Sequence, residues 1–305
     1  MRPILRIGTR TSALAIAQTN EVISALKPLT AAVRCDVVPI RTKGDETHDF
    51  GSSTIDNKSM FTKEIEQSLL EERIDLAVHS MKDLTTEVPS GLVIGAIPKR
   101  ENPRDVLISK GNKRFAELKF GTRIGTSSAR RKSQLLASRG DFDIIETRGN
   151  VDTRLRKLDH REFDAIVLAA AGLIRLGLEK RATEYLSPDL MLPAVGQGAL
   201  AIQVREDDAE IRELVSQIDH TETRRAVEAE RAFASTLGAD CRTPIAAYAR
   251  AEGGKLAIDG MVASRDGRKL VRNRMVSDDP SATRIGQDLA KRLLTKGAMT
   301  ILEAA

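Results

Sequence analysis

Two segments of the sequence place hydroxyl and guanidinium groups where an apolar strand should turn into a helix. Residues 6–12 and 123–128 both begin R-I-G-T and continue with further hydroxyl residues. The backbone N–H groups at a helix N-terminus are unpaired and lie at the positive end of the helix dipole, so they bind anions. Helix capping alone would explain either junction. Two matching junctions favour a bound anion, because Arg10, Arg130 and Arg131 add positive charge there.

Three more arginines, Arg148, Arg154 and Arg175, are predicted in turns or helices of the central part of the chain. The Arg side chain binds a carboxylate through a planar, two-pronged hydrogen bond that Lys cannot form. A single Arg usually belongs to a solvated, salt-bridged surface. Several of them together suit a ligand that carries many carboxylates.

The string V-H-S-M-K-D-L at residues 78–84 ends a predicted buried strand. Ligands of open α/β sheets bind beyond the carboxyl ends of the strands. Asp83, beside Lys82, is therefore a candidate general acid/base or a carboxylate that stabilises a cation, and an ordinary ion pair at a helix start is the alternative. His79 is expected to pack within the strand. No metal site is expected, because no second His or Cys lies at ligand spacing.

The two cysteines differ in their settings. Cys35 alternates within an apolar strand, which is typical of an inert core thiol. Cys241 lies in the loop G-A-D-C-R-T-P, where Arg242 favours the reactive thiolate and Asp240 disfavours it. These opposing effects leave the role of Cys241 open. Two cysteines are too few for a disulfide framework, which favours the reducing cytoplasm.

Composition excludes some classes of protein. The chain of 305 residues is 41% hydrophobic and only 3% aromatic, with a net charge of +5. This length suggests two or three domains, at about 150 residues each. No basic stripe with interleaved aromatic residues marks a nucleic-acid binder, no apolar run approaches the roughly 20 residues of a membrane span, and Arg6 interrupts any signal-peptide core. We therefore expect neither a nucleic-acid nor a membrane partner.

Strands and helices alternate through the first two thirds of the chain, which is typical of α/β architecture. Besides the R-I-G-T repeat, D-L-A-V at 75–78 matches D-A-I-V at 164–167. The sequence therefore predicts two similar lobes, with two crossovers between them that act as a hinge. The predicted bounds are 1–98 plus 199–216 for lobe 1, 102–192 for lobe 2, and 98–103 and 192–198 for the crossovers.

Residues 42–60 are dominated by polar and turn-forming residues and show no periodicity. A loop of this length in a compact domain is often functional, so a lid is one interpretation and disorder is the other. A helix should resume at Phe61, because Phe61, Ile65 and Leu69 are spaced by four.

The last part of the chain, residues 220–305, is predicted to form a small α+β domain. A helix over 221–237 precedes three strand-like runs separated by Gly-Gly and Asp-Gly turns. The final helix should begin with Asp279 as N-cap and Pro280 as its first residue. The three predicted strands cover 244–251, 255–263 and 268–276.

Several strings together resemble the porphobilinogen deaminase family and cover nearly the whole chain in order. Each string alone is weak evidence, but their combination is specific. The matching strings are R-I-G-T-R-T-S-A-L-A at 6–15, R-T-K-G-D at 41–45, V-H-S-M-K-D-L at 78–84, G-T-S-S-A-R-R at 125–131, T-R-G-N-V-D-T-R-L at 147–155, P-A-V-G-Q-G-A-L at 193–200, and E-R-A-F at 230–233 leading to C-R-T-P at 241–244.

The resemblance implies an α/β fold with two periplasmic-binding-protein-like (type II) lobes, joined by a double crossover hinge, and a small α+β C-terminal domain. It implies that Cys241 holds a dipyrromethane cofactor through a thioether, and that Asp83, with Lys82, matches the catalytic positions. The family commonly has Gly-Gly or Gly-Ser before this cysteine, so Ala239-Asp240 makes the loop stiffer and more acidic without moving the attachment site. The residues that match cofactor- and substrate-binding positions are Arg10, Ser12, Gln18, Ser80, Thr126, Ser128, Arg130, Arg131, Arg148, Arg154 and Arg175.

The activity that the resemblance implies is the stepwise condensation of porphobilinogen with loss of ammonia. Four units would be added to the cysteine-bound dipyrromethane, and hydrolysis would release hydroxymethylbilane for tetrapyrrole and heme biosynthesis. The enzyme would be a cytoplasmic monomer with a hand-off of its product to uroporphyrinogen-III synthase. One alternative is a cytosolic two-lobe anion-binding or sensor protein, which leaves the third domain unexplained. The other is an unrelated transferase with a cysteine nucleophile, which needs a base where no His is close to Cys241.

Overall fold

The computed structural model describes residues 2–29, 33–42, 62–238 and 243–303. The chain forms two compact units, unit 1 over Met1–Glu101 with Ala199–Arg224, and unit 2 over Asn102–Gly198 with Arg225–Ala305.

The strands are β1 (Ile4–Arg10), β2 (Arg34–Ile40), β3 (Leu76–Ser80), β4 (Leu92–Ala96), β5 (Asp105–Ser109), β6 (Arg123–Gly125), β7 (Asp143–Ile145), β8 (Ala165–Ala169), β9 (Glu184–Tyr185), β10 (Leu200–Arg205), β11 (Ile245–Glu252), β12 (Lys255–Ala263) and β13 (Leu270–Ser277). The α-helices are α1 (Ala13–Leu26), α2 (Lys63–Leu70), α3 (Ala129–Ser138), α4 (Val151–Asp159), α5 (Ala170–Arg175), α6 (Ala209–Ser216), α7 (Thr221–Thr236), α8 (Ala282–Leu293) and α9 (Met299–Glu303).

Unit 1 is built on a five-stranded sheet with the order β2-β1-β3-β10-β4. Strand β1 runs parallel to β2 and β3, whereas β10 is antiparallel to β3 and β4. Leu5 and Ile7 of β1 pack with Val22 and Leu26 of α1 in the core of this unit. Because β1 and β3 are parallel, their carboxyl ends lie at the same edge of the sheet, and so do the residues that follow them.

Unit 2 contains a second five-stranded sheet, with the order β7-β6-β8-β5-β9. Strand β6 is parallel to β7 and β8, and β5 is antiparallel to β8 and β9. The order and the strand directions match those of unit 1, with β6 in the place of β1 and β8 in the place of β3. The prediction of α/β architecture with two similar sheets is therefore confirmed.

An ion pair repeats at the same place in the two sheets and accounts for part of the sequence repeat. The Asp75 carboxylate accepts hydrogen bonds from the backbone N–H of Arg6 at 2.7 Å and from its guanidinium at 2.7 and 3.1 Å. Asp164 accepts from the backbone N–H of Arg123 at 3.1 Å and from its guanidinium at 3.1 and 3.2 Å. Each pair joins two neighbouring parallel strands, and it therefore helps to fix their register.

The rest of unit 2 contains a three-stranded antiparallel sheet, β11-β12-β13, packed against α7 and α8. Phe233, Ile258 and Leu289 are fully buried in the core that these elements share. The predicted strands and the predicted helix before them agree with the structure to within two residues. The division of the chain into three domains stays a prediction.

The predicted start of the final helix is wrong. Ser281, and not Asp279, is the N-cap of α8, and its side chain accepts a hydrogen bond from the backbone N–H of Arg284. The Asp279 carboxylate accepts instead from the backbone N–H of Ser281 at 2.7 Å. Asp279 therefore closes a turn that comes just before the helix, because an Asp side chain bonds readily to a backbone N–H two residues ahead.

The turn between β12 and β13 packs directly on α3, within unit 2. Gly267 in this turn has a φ of +71°, and a Cβ atom added to it would lie 2.4 Å from the carbonyl oxygen of Ser133 and 2.7 Å from the amide nitrogen of Ala137. Arg272 of β13 donates a hydrogen bond to the backbone oxygen of Asp189 at 2.9 Å. The three-stranded sheet is thus seated on the helix that starts at Ala129.

Replacing Gly267 by Ala should lower the free energy of unfolding of unit 2 by more than the cost of placing Ala in a left-handed backbone conformation. A Cβ atom in that region costs about 1–2 kcal/mol, and overpacking against α3 adds about 1–3 kcal/mol. The matched control is Gly254→Ala, where φ is +78° and no atom lies within 4 Å of the added Cβ. Thermal unfolding should show a lower midpoint for Gly267→Ala than for Gly254→Ala. Equal midpoints would contradict the close seating of the turn on the helix.

Candidate functional site

In unit 1, the junction between β1 and α1 carries the first group of predicted binding residues. Strand β1 ends at Arg10, and Ser12 caps α1 by accepting a hydrogen bond from the backbone N–H of Ala15 at 3.2 Å. Helix α1 places Gln18 so that its Nε2 donates to Ser80 Oγ, at the end of β3, at 2.7 Å. The structure therefore brings Gln18 and Ser80 into contact near the edge where β1 and β3 end.

Lys82 and Asp83 follow β3 directly, in a short 3-10 helix over Met81–Asp83. The backbone N–H of Met81 donates to the carbonyl oxygen of Ala199 at 3.0 Å, and the Met81 side chain is buried. Lys82 and Asp83 are only half-buried. This anchoring holds one cationic and one anionic side chain at the carboxyl end of a buried strand, where a ligand can reach them.

A chain of buried polar side chains lies within the same sheet. His79 Nε2 lies 3.1 Å from Gln203 Oε1, and Gln203 Nε2 donates to Glu66 Oε1 at 3.2 Å. Burial lowers the pKa of His79 from 6.5 to about 4, and the positive charge of Arg10 acts in the same direction, while the hydrogen bond with Gln203 raises it. His79 is therefore a neutral, packed strand residue, as predicted.

In unit 2, hydroxyl groups hold the matching junction between β6 and α3. Ser128 caps α3 by accepting from the backbone N–H of Arg131 at 3.4 Å, and Thr126 Oγ1 accepts from the backbone N–H of Ser128 at 3.2 Å. Ser127 Oγ donates to the carbonyl oxygen of Thr147 at 2.6 Å and accepts from its N–H at 3.0 Å. These bonds hold residues 126–128 beside residues 147–149.

Arg130 and Arg131, in the first turn of α3, are buried and share one carboxylate. Both arginines are 6% exposed, and Asp105 is 0% exposed. Arg130 Nη1 lies 2.8 Å from Asp105 Oδ2, and Arg131 donates to Asp105 Oδ1 from Nε at 3.0 Å and from Nη2 at 2.7 Å. Burial alone raises the pKa of Asp105, but the two guanidinium groups hold it at about 2. With two cations and one anion, the cluster carries one surplus positive charge, which suits an anionic ligand.

The three other predicted arginines of unit 2 lie in separate places, one in a loop and two in helices. Arg148 is exposed and donates to Glu146 Oε1 at 2.8 and 3.0 Å. Arg154 lies in α4. Arg175 ends α5 and donates from Nη2 to the backbone oxygen of Gly198 at 3.1 Å. Arg175 therefore supports the chain segment before β10, whereas Arg148 is solvent-exposed and paired with Glu146.

Sequence reasoning does not identify two buried carboxylates that organise unit 2. One is Asp105, whose sequence signal is a charged residue at the head of the apolar run D-V-L-I. The other is Glu230 in the E-R-A-F string, which accepts from the backbone N–H of Gly196 at 2.7 Å and from that of Ala249 at 2.8 Å. Glu230 therefore ties the P-A-V-G-Q-G segment to strand β11.

Cys241 and the preceding pair Ala239-Asp240 lie outside the described residues, as does the predicted lid apart from Thr42. Cys35 is a half-buried free thiol on β2, and burial together with the nearby Asp36 carboxylate raises its pKa, which fits an unreactive side chain. Within the described ranges, no three His, Cys, Asp or Glu side chains cluster as a metal site requires. The helices of those ranges also include none that is long and apolar enough to cross a membrane.

Comparison with known proteins gives matches in both units. Residues 5–213 match the family model described as "Porphobilinogen deaminase, dipyromethane cofactor binding domain", and residues 224–295 match "Porphobilinogen deaminase, C-terminal domain". The chain is 47% identical to the porphobilinogen deaminase of Syntrophobacter fumaroxidans, over 98% of this chain and 97% of the relative. It is 50% identical to that of Desulforudis audaxviator, over 99% and 98%. Among solved structures, an ancestral arginine-binding protein bound to arginine matches 72% of this chain and 91% of its own, with 15% identity and a TM-score of 0.42.

The buried state of His79 predicts a loss of stability as the pH falls. The folded protein keeps His79 neutral down to a pKa of about 4, while the unfolded chain takes up the proton near 6.5, so lowering the pH through this window favours unfolding. Between pH 7 and pH 5 the wild type should lose about 2 kcal/mol more unfolding free energy than His79→Gln, which has no titrating ring. Urea unfolding followed by circular dichroism measures this difference. The same pH dependence in both proteins would mean that His79 is not buried in the neutral form.

Proposed function

The chain belongs to the porphobilinogen deaminase family, and from this premise we propose how its residues carry out the reaction of that family. It is a transferase that joins four porphobilinogen units with loss of ammonia and releases hydroxymethylbilane. The structural observation that best supports this function is the buried pair Arg130 and Arg131, which share the Asp105 carboxylate. Each porphobilinogen carries an acetate and a propionate, and positively charged groups can bind these carboxylates. A sensor of small anions could use a similar cluster, but the full-length relatives are deaminases.

We propose that Cys241 holds a dipyrromethane cofactor through a thioether. When bound, the cofactor supplies the pyrrole carbon onto which the substrate is condensed. Its acidic side chains need cationic and hydroxyl partners, and unit 2 offers Ser128, Arg130 and Arg131 at one helix N-terminus. The donor set of the described residues therefore fits the group.

Asp83 is the proposed acid/base of the reaction. Loss of ammonia from porphobilinogen needs a proton on the leaving amine and leaves a cationic pyrrole. A carboxylate beside that cation stabilises it and takes up the proton that is released when the new carbon–carbon bond forms. The anchored 3-10 helix after β3 holds Asp83 on a rigid backbone. Lys82, its neighbour, offsets the negative charge of the substrate.

The remaining predicted residues are proposed to bind the carboxylates that accumulate as the product grows. Each condensation adds two negative charges, so positive and hydrogen-bonding groups are needed at several places. Helix N-termini capped by Ser12 and Ser128 add positive potential at two of them. The proposed set is Arg10, Ser12, Gln18 and Ser80 in unit 1, and Thr126, Ser128, Arg130, Arg131, Arg148, Arg154 and Arg175 in unit 2.

We also propose that the enzyme works in the cytoplasm as a monomer and passes its product to uroporphyrinogen-III synthase. The free thiol of Cys35 agrees with a reducing compartment. Hydroxymethylbilane is an unstable linear tetrapyrrole, so direct transfer to the next enzyme would limit its loss.

Intact mass spectrometry should show excess mass equal to two porphobilinogen units less two ammonia, located on the peptide that contains Cys241. Cys241→Ala should remove this adduct, because the sulfur of the thioether is lost. The matched control is Cys35→Ala, which changes the free thiol on β2 and should keep both adduct and activity. A fully active protein without the added mass would contradict the proposed attachment of the cofactor to Cys241.

Asp83→Asn keeps the shape of the side chain but removes its charge. Turnover of porphobilinogen should fall by at least about a hundredfold, the usual contribution of a general acid/base, with an unchanged circular dichroism spectrum. The matched control is Asp36→Asn, which removes an exposed carboxylate paired with Arg34 on β2 and should leave turnover unchanged. Near-normal turnover of Asp83→Asn would make Asp83 a structural residue.

A further inference from the structure

We propose that Asp105 is a positioning residue of the anion site, which holds the guanidinium groups of Arg130 and Arg131 in place and limits the positive charge that they present. This inference rests on the proposed function, in which the two arginines bind carboxylates of the cofactor or the growing product. Asp105 itself would not touch the ligand. Its effect would pass entirely through the two arginines.

The geometry gives each oxygen of the Asp105 carboxylate its own arginine. Oδ2 lies 2.8 Å from Arg130 Nη1, and Oδ1 accepts from Nε and Nη2 of Arg131 at 3.0 and 2.7 Å. Arg130 Nη1 also donates to the backbone oxygen of Leu192 at 2.7 Å. Two long side chains are thereby held in one arrangement by a carboxylate on the first residue of β5.

These contacts leave most of the guanidinium donors for other partners. Each guanidinium has five N–H donors. Asp105 accepts two hydrogen bonds from Arg131 and forms an ion pair with Arg130, which donates one hydrogen bond to the Leu192 oxygen. The carboxylate therefore orients the arginines without using up their hydrogen-bonding capacity.

The charge of the cluster is unusual for a purely structural element. Arg130 and Arg131 lie in the first turn of α3, at the positive end of the helix dipole, where cations are disfavoured. Burial lowers the pKa of Arg130, a sign that its charge is costly in this place. A buried ion pair seldom adds net stability over apolar packing. One surplus positive charge, kept in the folded protein at this cost, is what a site for a single carboxylate requires.

Without Asp105, the cluster would hold two adjacent cations with no anion between them. The guanidinium groups would repel each other and lose the acceptor that aligns them. The surplus charge would rise from one to two, but the hydrogen-bonding geometry that recognises a carboxylate would be lost.

The test compares Asp105→Asn with Asp75→Asn. Asp75 is an equally buried carboxylate that pairs with three arginines, Arg2, Arg6 and Arg205, but it lies in unit 1, just before β3. We expect both variants to melt at lower temperature. Only Asp105→Asn should lower the fraction of chains that carry the cofactor mass and raise the KM for porphobilinogen by about tenfold or more, the effect of losing a charge-assisted hydrogen bond. If Asp105→Asn changes the melting temperature alone, as Asp75→Asn should, the inference is wrong.

A double variant tests whether Asp105 acts through the arginines. Asp105→Asn combined with Arg131→Gln restores the surplus charge to one. If Asp105 acts through the arginines, its substitution should raise KM by a smaller factor in the Arg131→Gln background than in the wild type. Equal factors in the two backgrounds would overturn the inference. Failure of the proposed function is distinguishable, because wild type and Asp75→Asn would then lack the cofactor mass as well.

Discussion

Burying a guanidinium group is possible only where its charge and its N–H donors meet partners, and this requirement shapes the middle of unit 2. Asp105 at the head of β5 and the backbone oxygen of Leu192 supply those partners for Arg130. Both partners come from outside α3, so the helix cannot shift without breaking the cluster. The Gly267 turn then rests on the backbone of the same helix. The three-stranded sheet, the second five-stranded sheet and the arginine cluster are therefore mechanically connected through α3.

The two five-stranded sheets repeat one architecture but carry different chemistry. The Arg6–Asp75 and Arg123–Asp164 pairs occupy matching places and stabilise the same parallel pairing of strands. Beyond the carboxyl ends of the strands, the sequences diverge. Unit 1 presents a half-buried carboxylate and an amine after β3, whereas unit 2 concentrates buried guanidinium groups after β6. A scaffold stabilised at one end of its strands leaves the other end free to vary, which is the arrangement expected of open α/β sheets.

The described segments before and after residues 239–242 are each anchored by buried groups. Phe233 fixes α7, which precedes the loop, in the core of the three-stranded sheet. Glu230, one turn earlier, bonds to the backbone of β11, which follows the loop, and to the P-A-V-G-Q-G segment. These contacts fix the two described segments that flank residues 239–242.

The sequence by itself determined the elements whose evidence is local. Hydrophobic alternation and turn residues located the three C-terminal strands, and the repeated R-I-G-T and D-x-x-V strings indicated two similar sheets. The K-D pair after a buried strand made Asp83 a candidate acid/base. The start of α8 was mispredicted, because Asp279 and Ser281 are both good caps and the structure uses Ser281. The tertiary structure alone decided which groups meet. Asp105 and Arg131 are 26 residues apart, Gly196 and Glu230 are 34 apart, and Gln18 and Ser80 are 62 apart. No local pattern encodes such pairs, because they form only when buried polar groups from different strands and helices must satisfy one another.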